Sequence, residues 1–131
     1  MNRTIFITAI VFGALAIALG AFGAHALKEA LSAAEIQVFE TGVRYQMYHA
    51  LLLLFMANTL HVPEQKKKLV FYLIAIGVVL FSFSIYLLAT NNLTGFDFKT
   101  IGFVTPIGGI LLLSGWVILG YRFIRHKSNQ I

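Results

Sequence analysis

The 131-residue chain has no cysteine, only two prolines and a charged fraction of 11%. The absence of cysteine excludes disulfides, thiolate catalysis and cysteine-ligated metals. Soluble domains usually have about 25% charged residues, so this chain could not cover its surface with polar groups in water. Its hydrophobic fraction of 59% indicates a protein whose solvent is lipid.

Four long, continuous apolar stretches fill most of the sequence. Each approaches or exceeds the roughly 20 residues with which an α-helix crosses the core of a bilayer. Their continuity differs from the alternating pattern of a transmembrane β-barrel. The sequence therefore predicts one all-α domain over residues 1–131, a four-helix transmembrane bundle with helices at about residues 5–24, 43–61, 69–90 and 102–124.

The segment between the first two apolar stretches is more polar. Ser32 and Glu35 have the spacing of a capping box, in which each side chain bonds the backbone of the other residue at a helix start. The pattern that follows predicts a short amphipathic helix on the outer surface of the membrane. This helix runs into helix two at Thr41 and Gly42, with a bend or as a simple continuation.

The distribution of lysine and arginine predicts that both termini are cytoplasmic. In that orientation the outer side has three basic residues, Lys28, Arg44 and Lys99, and the inner side has seven. The inner residues are Arg3, Lys66, Lys67, Lys68, Arg122, Arg125 and Lys127. Because these residues flank helices, we assign the net charge of +5 to topology and lipid contact, and we expect no nucleic acid partner.

The end of helix one has a pattern that resembles a signal-peptide cleavage site, Ala24-His25-Ala26. The apolar run before it is longer than the roughly 7–15 residues of a signal peptide. We therefore expect helix one to be retained, although the charge distribution fits either outcome.

Small residues recur every few positions in helix one and in the later helices. Such stripes allow close approach of helices in lipid, and we expect them to pack within the chain, with a dimer face as the alternative. Thr105 followed by Pro106 is typical of a helix N-cap and first turn. The predicted packing residues are Gly13, Gly20, Gly23, Gly77, Ser84, Thr105, Pro106, Gly108, Gly109, Gly115 and Trp116.

Two histidines, His25 and His49, stand in otherwise apolar sequence in the outer half of the predicted bilayer. Ionisable groups at such depth usually face the bundle interior or a water-filled cavity. Spacing of three or four residues places polar neighbours on one helix face. The candidate ligand-binding residues are therefore His25, Arg44, Tyr45, Gln46 and His49, with Tyr86 or Thr105 as further members.

Three interpretations of this cluster remain open. The first is a structural hydrogen-bond network that joins helix one to helix two. The second is a site for a small amphipathic molecule, a lipid headgroup or a quinone, with Arg44 facing an anionic or carbonyl oxygen. The third gives His25 and His49 the role of proton carriers or of metal or haem ligands. Two histidines without a nearby carboxylate make a poor metal site, so we predict no metal and no cofactor.

Four segments of the chain resemble one known family. They are Leu19–Leu27, Thr41–Ala50, Phe81–Leu88, and Thr105–Gly109 together with Gly115 and Trp116. The chain is similar over nearly its whole length to bacterial members of domain-of-unknown-function family 423, which are uncharacterised small membrane proteins related to eukaryotic transmembrane protein 256. The resemblance implies a helical fold in the bacterial cytoplasmic membrane. It implies no established reaction and no catalytic residues.

We therefore expect a small multi-pass inner-membrane protein that is not an enzyme. Its expected role is that of an accessory or interaction protein, or of a lipid or quinone binder. The alternative is a small transporter or proton-coupled carrier that uses His25 and His49. No acidic residue lies within an apolar stretch, which argues against a small multidrug-type cation exporter. The expected partners are the lipid bilayer and another membrane protein or a second copy of the chain.

Overall fold

The computed structural model describes residues 1–95 and 97–128, with side chains up to residue 126 in the last helix. Five α-helices follow one another: α1 Asn2–His25, α2 Ala33–Asn58, α3 Glu64–Val78, α4 Ser84–Ala89 and α5 Val104–Ser128. A π-helical segment, Val79–Phe83, joins α3 to α4, and short 3-10 turns occupy Leu27–Glu29, Asn91–Leu93 and Phe98–Ile101. The described residues contain no strand, so the all-α prediction is confirmed.

Three stretches are long and apolar enough to cross a membrane: Asn2–His25, Glu64–Ala89 and Phe98–His126. The second of these comprises α3, the π-helical segment and α4. These three coincide with the first, third and fourth predicted helices. The α2 helix is about 39 Å long, which is sufficient length, but its first half is too polar to meet the same criterion of composition.

The α2 helix joins two segments that the sequence prediction treats in turn. It is one continuous helix from Ala33 to Asn58, so the predicted amphipathic segment runs into helix two as a simple continuation, and the helix begins ten residues before the predicted residue 43. The capping box itself is confirmed, since Glu35 N donates to Ser32 Oγ at 3.1 Å and Ser32 N donates to Glu35 Oε1 at 2.9 Å. The change from polar to apolar sequence near Val43 reflects a change of surroundings and not a helix boundary.

The small residues of α1 pack against α2, as predicted for packing within the chain. A Cβ atom added at Gly13 would lie 3.8 Å from Ala50 Cβ, and one at Gly20 would lie 3.4 Å from Val43 Cγ1. At Gly23 an added Cβ would lie 2.9 Å from the Phe39 ring. The two helices are therefore antiparallel neighbours along most of their length.

The α5 helix packs mainly on α3 and on the π-helical segment. An added Cβ at Gly108 would lie 2.5 Å from the backbone N of Phe81, and one at Gly77 or Gly115 would lie 2.8 Å from Leu112 or 2.6 Å from Ile74. Gly109 is roomier, since its added Cβ would lie 3.7 Å from Phe81 Cδ2. Gly77, Gly108 and Gly115 therefore have the predicted packing role, because an added Cβ at each would collide with the neighbouring helix.

The start of α5 differs from the prediction. The helix begins at Val104, so Thr105 lies within its first turn and not at the N-cap. The Thr105 hydroxyl instead forms a hydrogen bond of 2.6 Å with the hydroxyl of Ser84 on α4. Pro106 is tolerated because backbone N–H groups of the first turn have no helical partner.

The three lysines in the first turns of α3 differ in their exposure. Lys66 and Lys68 are exposed, whereas Lys67 is only 2% exposed. Its Nζ donates to Asn2 Oδ1 and to the carbonyl of Thr59, both at 2.9 Å. Lys67 thus donates hydrogen bonds to a backbone carbonyl at the C-terminal end of α2 and to a side chain in the first turn of α1.

The other predicted topology residues lie near this same end of the bundle. Arg122 donates a hydrogen bond to the backbone carbonyl of Lys66, which joins the last turns of α5 to the first turn of α3. The guanidinium of Arg125 lies 6.0 Å from the centre of the Tyr121 ring. The side chain of Lys127 lies outside the described part.

Candidate functional site

The centre of the bundle has a polar side chain that contacts three helices. Gln46 is fully buried, and its Nε2 donates to the carbonyl of Phe12 on α1 at 2.8 Å. Its Oε1 accepts a hydrogen bond of 2.7 Å from the hydroxyl of Tyr86 on α4. Gln46 therefore ties α1, α2 and α4 together at a depth where unpaired polar groups are costly.

The same ring of Tyr86 explains why residue 42 is glycine. An added Cβ at Gly42 would lie 2.6 Å from Tyr86 Cε1. The carbonyl of Gly42 accepts a 2.8 Å hydrogen bond from the hydroxyl of Ser82, which lies in the π-helical segment. Gly42 thus allows α2 to approach this segment closely, and its carbonyl also accepts the hydrogen bond of the Ser82 hydroxyl.

His49 joins α2 to α5. Its Nδ1 lies 2.6 Å from the carbonyl of Tyr45, and its Nε2 lies 3.0 Å from the indole nitrogen of Trp116. Because a carbonyl only accepts and an indole N–H only donates, we assign the proton to Nδ1 and the lone pair to Nε2. The neutral imidazole is therefore fully satisfied, and a second proton on Nε2 would break the bond to Trp116.

A recess lies beside this histidine, between α2 and α5. Its volume is about 190 Å³, and it is lined by Tyr45, His49, Phe81, Gly109, Leu112, Leu113 and Trp116. We call it the α2–α5 cleft. The backbones of α2 and α5 make few close approaches, so the His49–Trp116 contact bridges a gap. Trp116 and Leu113 are 48% and 66% exposed, which leaves the cleft open toward the outside of the bundle.

Arg44 lies on the outside of α2, one turn from this cleft. Its Nη2 donates to the Thr41 hydroxyl at 3.1 Å, and its Nη1 lies 3.8 Å from Glu40 Oε2. The side chains of Arg44 and Glu40 are each about half exposed. The guanidinium leans toward Thr41 and so toward the polar first half of α2.

The five candidate residues do not form one cluster. His25 is exposed at the end of α1, whereas His49 adjoins Ala50, which packs at the level of Gly13. The separation of Gly13 and His25 along α1 corresponds to about 18 Å. Gln46 and His49 point to different neighbours, and Arg44 points outward. Tyr86 joins the network as expected, but Thr105 pairs with Ser84 instead.

Sequence reasoning missed the role of Trp116 as the partner of His49. The sequence prediction assigns Trp116 to packing. Its depth in an apolar stretch could have indicated a hydrogen-bond partner, because tryptophan is commonest at the membrane interface. Deeper in the bilayer its indole N–H needs an acceptor within the protein. The network is complete within the described residues, since no buried side-chain nitrogen or oxygen there lacks a partner. Those residues also contain no group of three His, Asp or Glu side chains placed to hold a metal.

Comparison with known proteins identifies the family. A profile of the family described as "Protein of unknown function (DUF423)" matches residues 19–109. The chain belongs to this family. The UPF0382 inner membrane protein YgdD of Escherichia coli is 37% identical over 134 residues, which cover 99% of this chain and 96% of that protein. A UPF0382 membrane protein of Staphylococcus saprophyticus is 40% identical over 114 residues, which cover 84% of this chain and 91% of that protein.

No solved structure matches the chain. The family model spans Gly42, Gln46, His49 and Tyr86 and ends before Trp116. Together with the three long apolar helices, these relatives confirm the predicted family and the predicted membrane class. The family has no described function, so any specific role comes from the geometry of the bundle.

Proposed function

We propose that this protein binds a membrane phospholipid, with one acyl chain in the α2–α5 cleft, and that it catalyses no reaction. The main support is the cleft itself, an apolar recess of about 190 Å³ on the outside of the bundle. Filling a recess gains dispersion contacts that a void lacks, and van der Waals packing is what drives association within lipid. An acyl chain is therefore the natural complement of this surface.

The bonds of His49 favour a hydrocarbon ligand over a quinone or a metal at this depth. Both ring nitrogens have partners within the protein, Tyr45 O and Trp116 Nε1. A quinone carbonyl or a metal ion would have to displace one of them. An acyl chain needs no hydrogen bond, so it can occupy the cleft with the network intact.

Arg44 lies where its guanidinium can contact the phosphate of a lipid whose acyl chain occupies the cleft. It lies one helical turn from Tyr48 and next to Tyr45, which lines the cleft. A guanidinium has five N–H donors, and the Thr41 hydroxyl accepts from only one of them in this structure. The remaining donors are available to a phosphate, which a guanidinium binds in bidentate fashion.

We also propose that α2 is the fourth crossing, which makes the protein multi-pass with both termini in the cytoplasm. The support is the pairing of α2 with α1. Their contacts extend from Phe39 and Gly23 at one end to Thr59 and Asn2 at the other, where Lys67 bridges the last two. A helix that accompanies a membrane-spanning neighbour over this length passes through the same thickness of lipid.

The direct test of the lipid site is retention of lipid by variants that fill the cleft. Gly109→Leu adds a side chain where an added Cβ meets only the edge of the Phe81 ring at 3.7 Å. We expect this variant to fold and to retain about tenfold less phospholipid than the parent protein after purification in a mild detergent, a loss of about 1.4 kcal/mol. Bound lipid is counted by native mass spectrometry.

The matched control is Gly120→Leu on the same helix, because an added Cβ there has no neighbour within 4 Å. Gly120 lines a second recess of about 440 Å³ between the same helices, so the variant adds the same side chain outside the α2–α5 cleft and should retain lipid in that cleft as the parent does. Circular dichroism of both variants checks that the fold is intact. Equal lipid retention by Gly109→Leu and Gly120→Leu, with both folded, would disprove the proposed site.

A further inference from the structure

A third recess lies where α1 ends, on a different face of α2 from the α2–α5 cleft. We call it the α1–α2 recess. Its volume is about 550 Å³, within the roughly 300–1,000 Å³ of sites for small molecules. Its apolar lining includes Gly23, Ala24 and Ile36, and its polar lining consists of Lys28, Gln37 and Glu40. None of these residues lines the α2–α5 cleft, so the two recesses are separate.

The α1–α2 recess extends across the level at which the first membrane span ends. Glu40 follows Phe39, whose ring lies against Gly23, two residues before the end of that span at His25. Lys28 belongs to the 3-10 turn that follows the span. Glu40 therefore lies at the level of the last turn of the span, and Lys28 lies beyond it, on the side where lipid phosphates are found.

Both charged residues of the recess keep capacity for a ligand. Within the part of the chain that the structure describes, Lys28 Nζ has no hydrogen bond and no ion pair. The carboxylate of Glu40 lies 3.8 Å from Arg44 Nη1, which is longer than a hydrogen bond, and its side chain is about half exposed. Because Lys28 and Glu40 do not pair with each other there, a ligand between them can contact both.

We propose that the α1–α2 recess binds a lysophospholipid, a phospholipid with one acyl chain and a free glycerol hydroxyl. The ammonium of Lys28 binds the phosphate. Nearer the bilayer, the carboxylate of Glu40 accepts a hydrogen bond from the hydroxyl, and the acyl chain passes along the apolar lining into the membrane. This site goes beyond the lipid proposed for the α2–α5 cleft and does not depend on it.

The carboxylate of Glu40 distinguishes this ligand from a phospholipid with two acyl chains. A carboxylate only accepts hydrogen bonds. The glycerol oxygens of a diacyl lipid belong to esters, which also only accept, so they would face Glu40 without a donor between them. A free hydroxyl supplies that donor, and hydrogen bonds to charged groups are the stronger kind. Glu40 therefore selects for the hydroxyl, whereas Lys28 binds the phosphate of either lipid.

The test compares two lipids that differ only at this hydroxyl. Lysophosphatidylcholine has no hydrogen-bond donor in its headgroup, and its 2-methoxy analogue has the same single chain with the hydroxyl blocked. Each is added to the purified complete protein in a mild detergent, and bound lipid is counted by native mass spectrometry. We expect about fivefold more bound lysophosphatidylcholine than analogue, the scale of a charge-assisted hydrogen bond that water partly screens.

Two variants separate the roles of the charged residues. Glu40→Gln should bring the two lipids close to parity, because an amide can donate to the methoxy oxygen as well as accept from the hydroxyl. Lys28→Gln should lower the binding of both lipids to the same extent. Neither side chain has a hydrogen bond within the described residues, so both variants should fold, which circular dichroism checks.

Glu29→Gln is the matched control, because Glu29 adjoins Lys28 in the same 3-10 turn and does not line the recess. It should bind both lipids as the parent protein does. Gly109→Leu fills the other cleft and should also keep the preference of the parent. Loss of the preference in Gly109→Leu would assign the lysophospholipid to the α2–α5 cleft and overturn the site proposed here.

Equal binding of the two lipids by the parent protein, or an unchanged preference in Glu40→Gln, would also overturn the inference. So would equally tight binding of glycerophosphocholine, which has the same headgroup and no acyl chain, because the ligand would then be a soluble phosphodiester. These outcomes leave the α2–α5 cleft untouched, since that site is tested by retention of diacyl lipid in Gly109→Leu and Gly120→Leu.

Discussion

The indole N–H of Trp116 donates a hydrogen bond of 3.0 Å to Nε2 of His49, and the two rings meet edge to face with their centres 6.0 Å apart. This bond spans the gap between α5 and α2, whose backbones stand apart. It also determines which nitrogen of His49 carries the proton. The lipid-facing wall of the cleft is therefore held by one polar contact between residues 67 positions apart.

Replacing Trp116 tests the strength of this contact. Trp116→Phe keeps an aromatic ring and removes the N–H, so Nε2 of His49 loses its donor. We expect the free energy of unfolding in detergent to fall by about 1 kcal/mol, the usual range for a hydrogen bond between membrane helices. Tyr121→Phe, which removes an exposed hydroxyl from the same helix, should unfold like the parent protein. Equal stability of the two variants would show that the bond contributes nothing.

The Gln46–Tyr86 bond should show energetic coupling. Gln46→Leu and Tyr86→Phe each remove one partner of a buried 2.7 Å hydrogen bond, and each leaves the other group unpaired. We expect the double variant to be more stable than the sum of the single changes implies, with a coupling energy of about 1 kcal/mol. Denaturant titration followed by circular dichroism measures the four proteins. Additive changes would mean that the two side chains do not interact in the folded protein.

Two adjacent glycines should differ in how much stability they lose on substitution by alanine. At Gly108 the new methyl group would lie 2.5 Å from the backbone N of Phe81 and 2.8 Å from the carbonyl carbon of Leu80, and backbone atoms cannot move aside cheaply. We expect Gly108→Ala to cost about 1–3 kcal/mol. Gly109→Ala meets ordinary van der Waals contact and should change stability by less than about 0.5 kcal/mol. Thermal unfolding that ranks the two variants the other way would contradict the packing of α5 on the π-helical segment.

The fourth crossing is testable because the chain has no cysteine of its own. Single cysteines at Ala34 and Leu60 would lie near the two ends of α2, at exposed positions. A maleimide that cannot cross the membrane should label Ala34→Cys in spheroplasts and should label Leu60→Cys only after permeabilisation. Gly95→Cys, in the loop before α5, provides an outer control. Labelling of both α2 positions from the same side would show that α2 does not cross.

The capping box of α2 should make stability depend on pH in the acidic range. The backbone N–H of Ser32, followed by its hydroxyl and the Asn92 amide, lowers the pKa of the Glu35 carboxyl. A lowered pKa in the folded state means that the contribution is present above the ordinary carboxyl pKa, near 4.5. It is lost as the pH falls through the lower folded value.

The parent protein should therefore melt above Glu35→Gln at neutral pH, and the difference should shrink on acidification. Melting temperatures across that range measure it. Glu29→Gln accounts for the general effect of removing a negative charge at this end. A gap between parent and Glu35→Gln that stays constant down to the acid limit would rule out an ionised cap.

Much of the fold can be predicted from local sequence. The apolar stretches give three spanning segments because length and composition are sufficient to define them, and the Ser32–Glu35 spacing defines the start of α2. The spacing of Gly13 and Gly20 indicates a packed face of α1 without naming its partner.

The arrangement of polar residues required the folded chain. Tyr86 reaches Gln46 across 40 positions, and Trp116 reaches His49 across 67, so the pairing depends on which helices adjoin. The polarity of the first turns of α2 left open whether the chain bends at Thr41 and Gly42, because polarity reports the surroundings of a residue and not the continuity of the backbone. Lys67 was grouped with Lys66 and Lys68 because neighbours in sequence have the same charge, although helical rotation turns the middle residue inward.

The inward position of Lys67 bears on how the chain assembles. The carbonyl at the end of α2 and the side chain of Asn2 depend on an ammonium group that belongs to α3. An α1–α2 hairpin without α3 therefore lacks the donor that pairs these two oxygens at its open end. Completion of the first helix pair in this way requires a residue of the third helix.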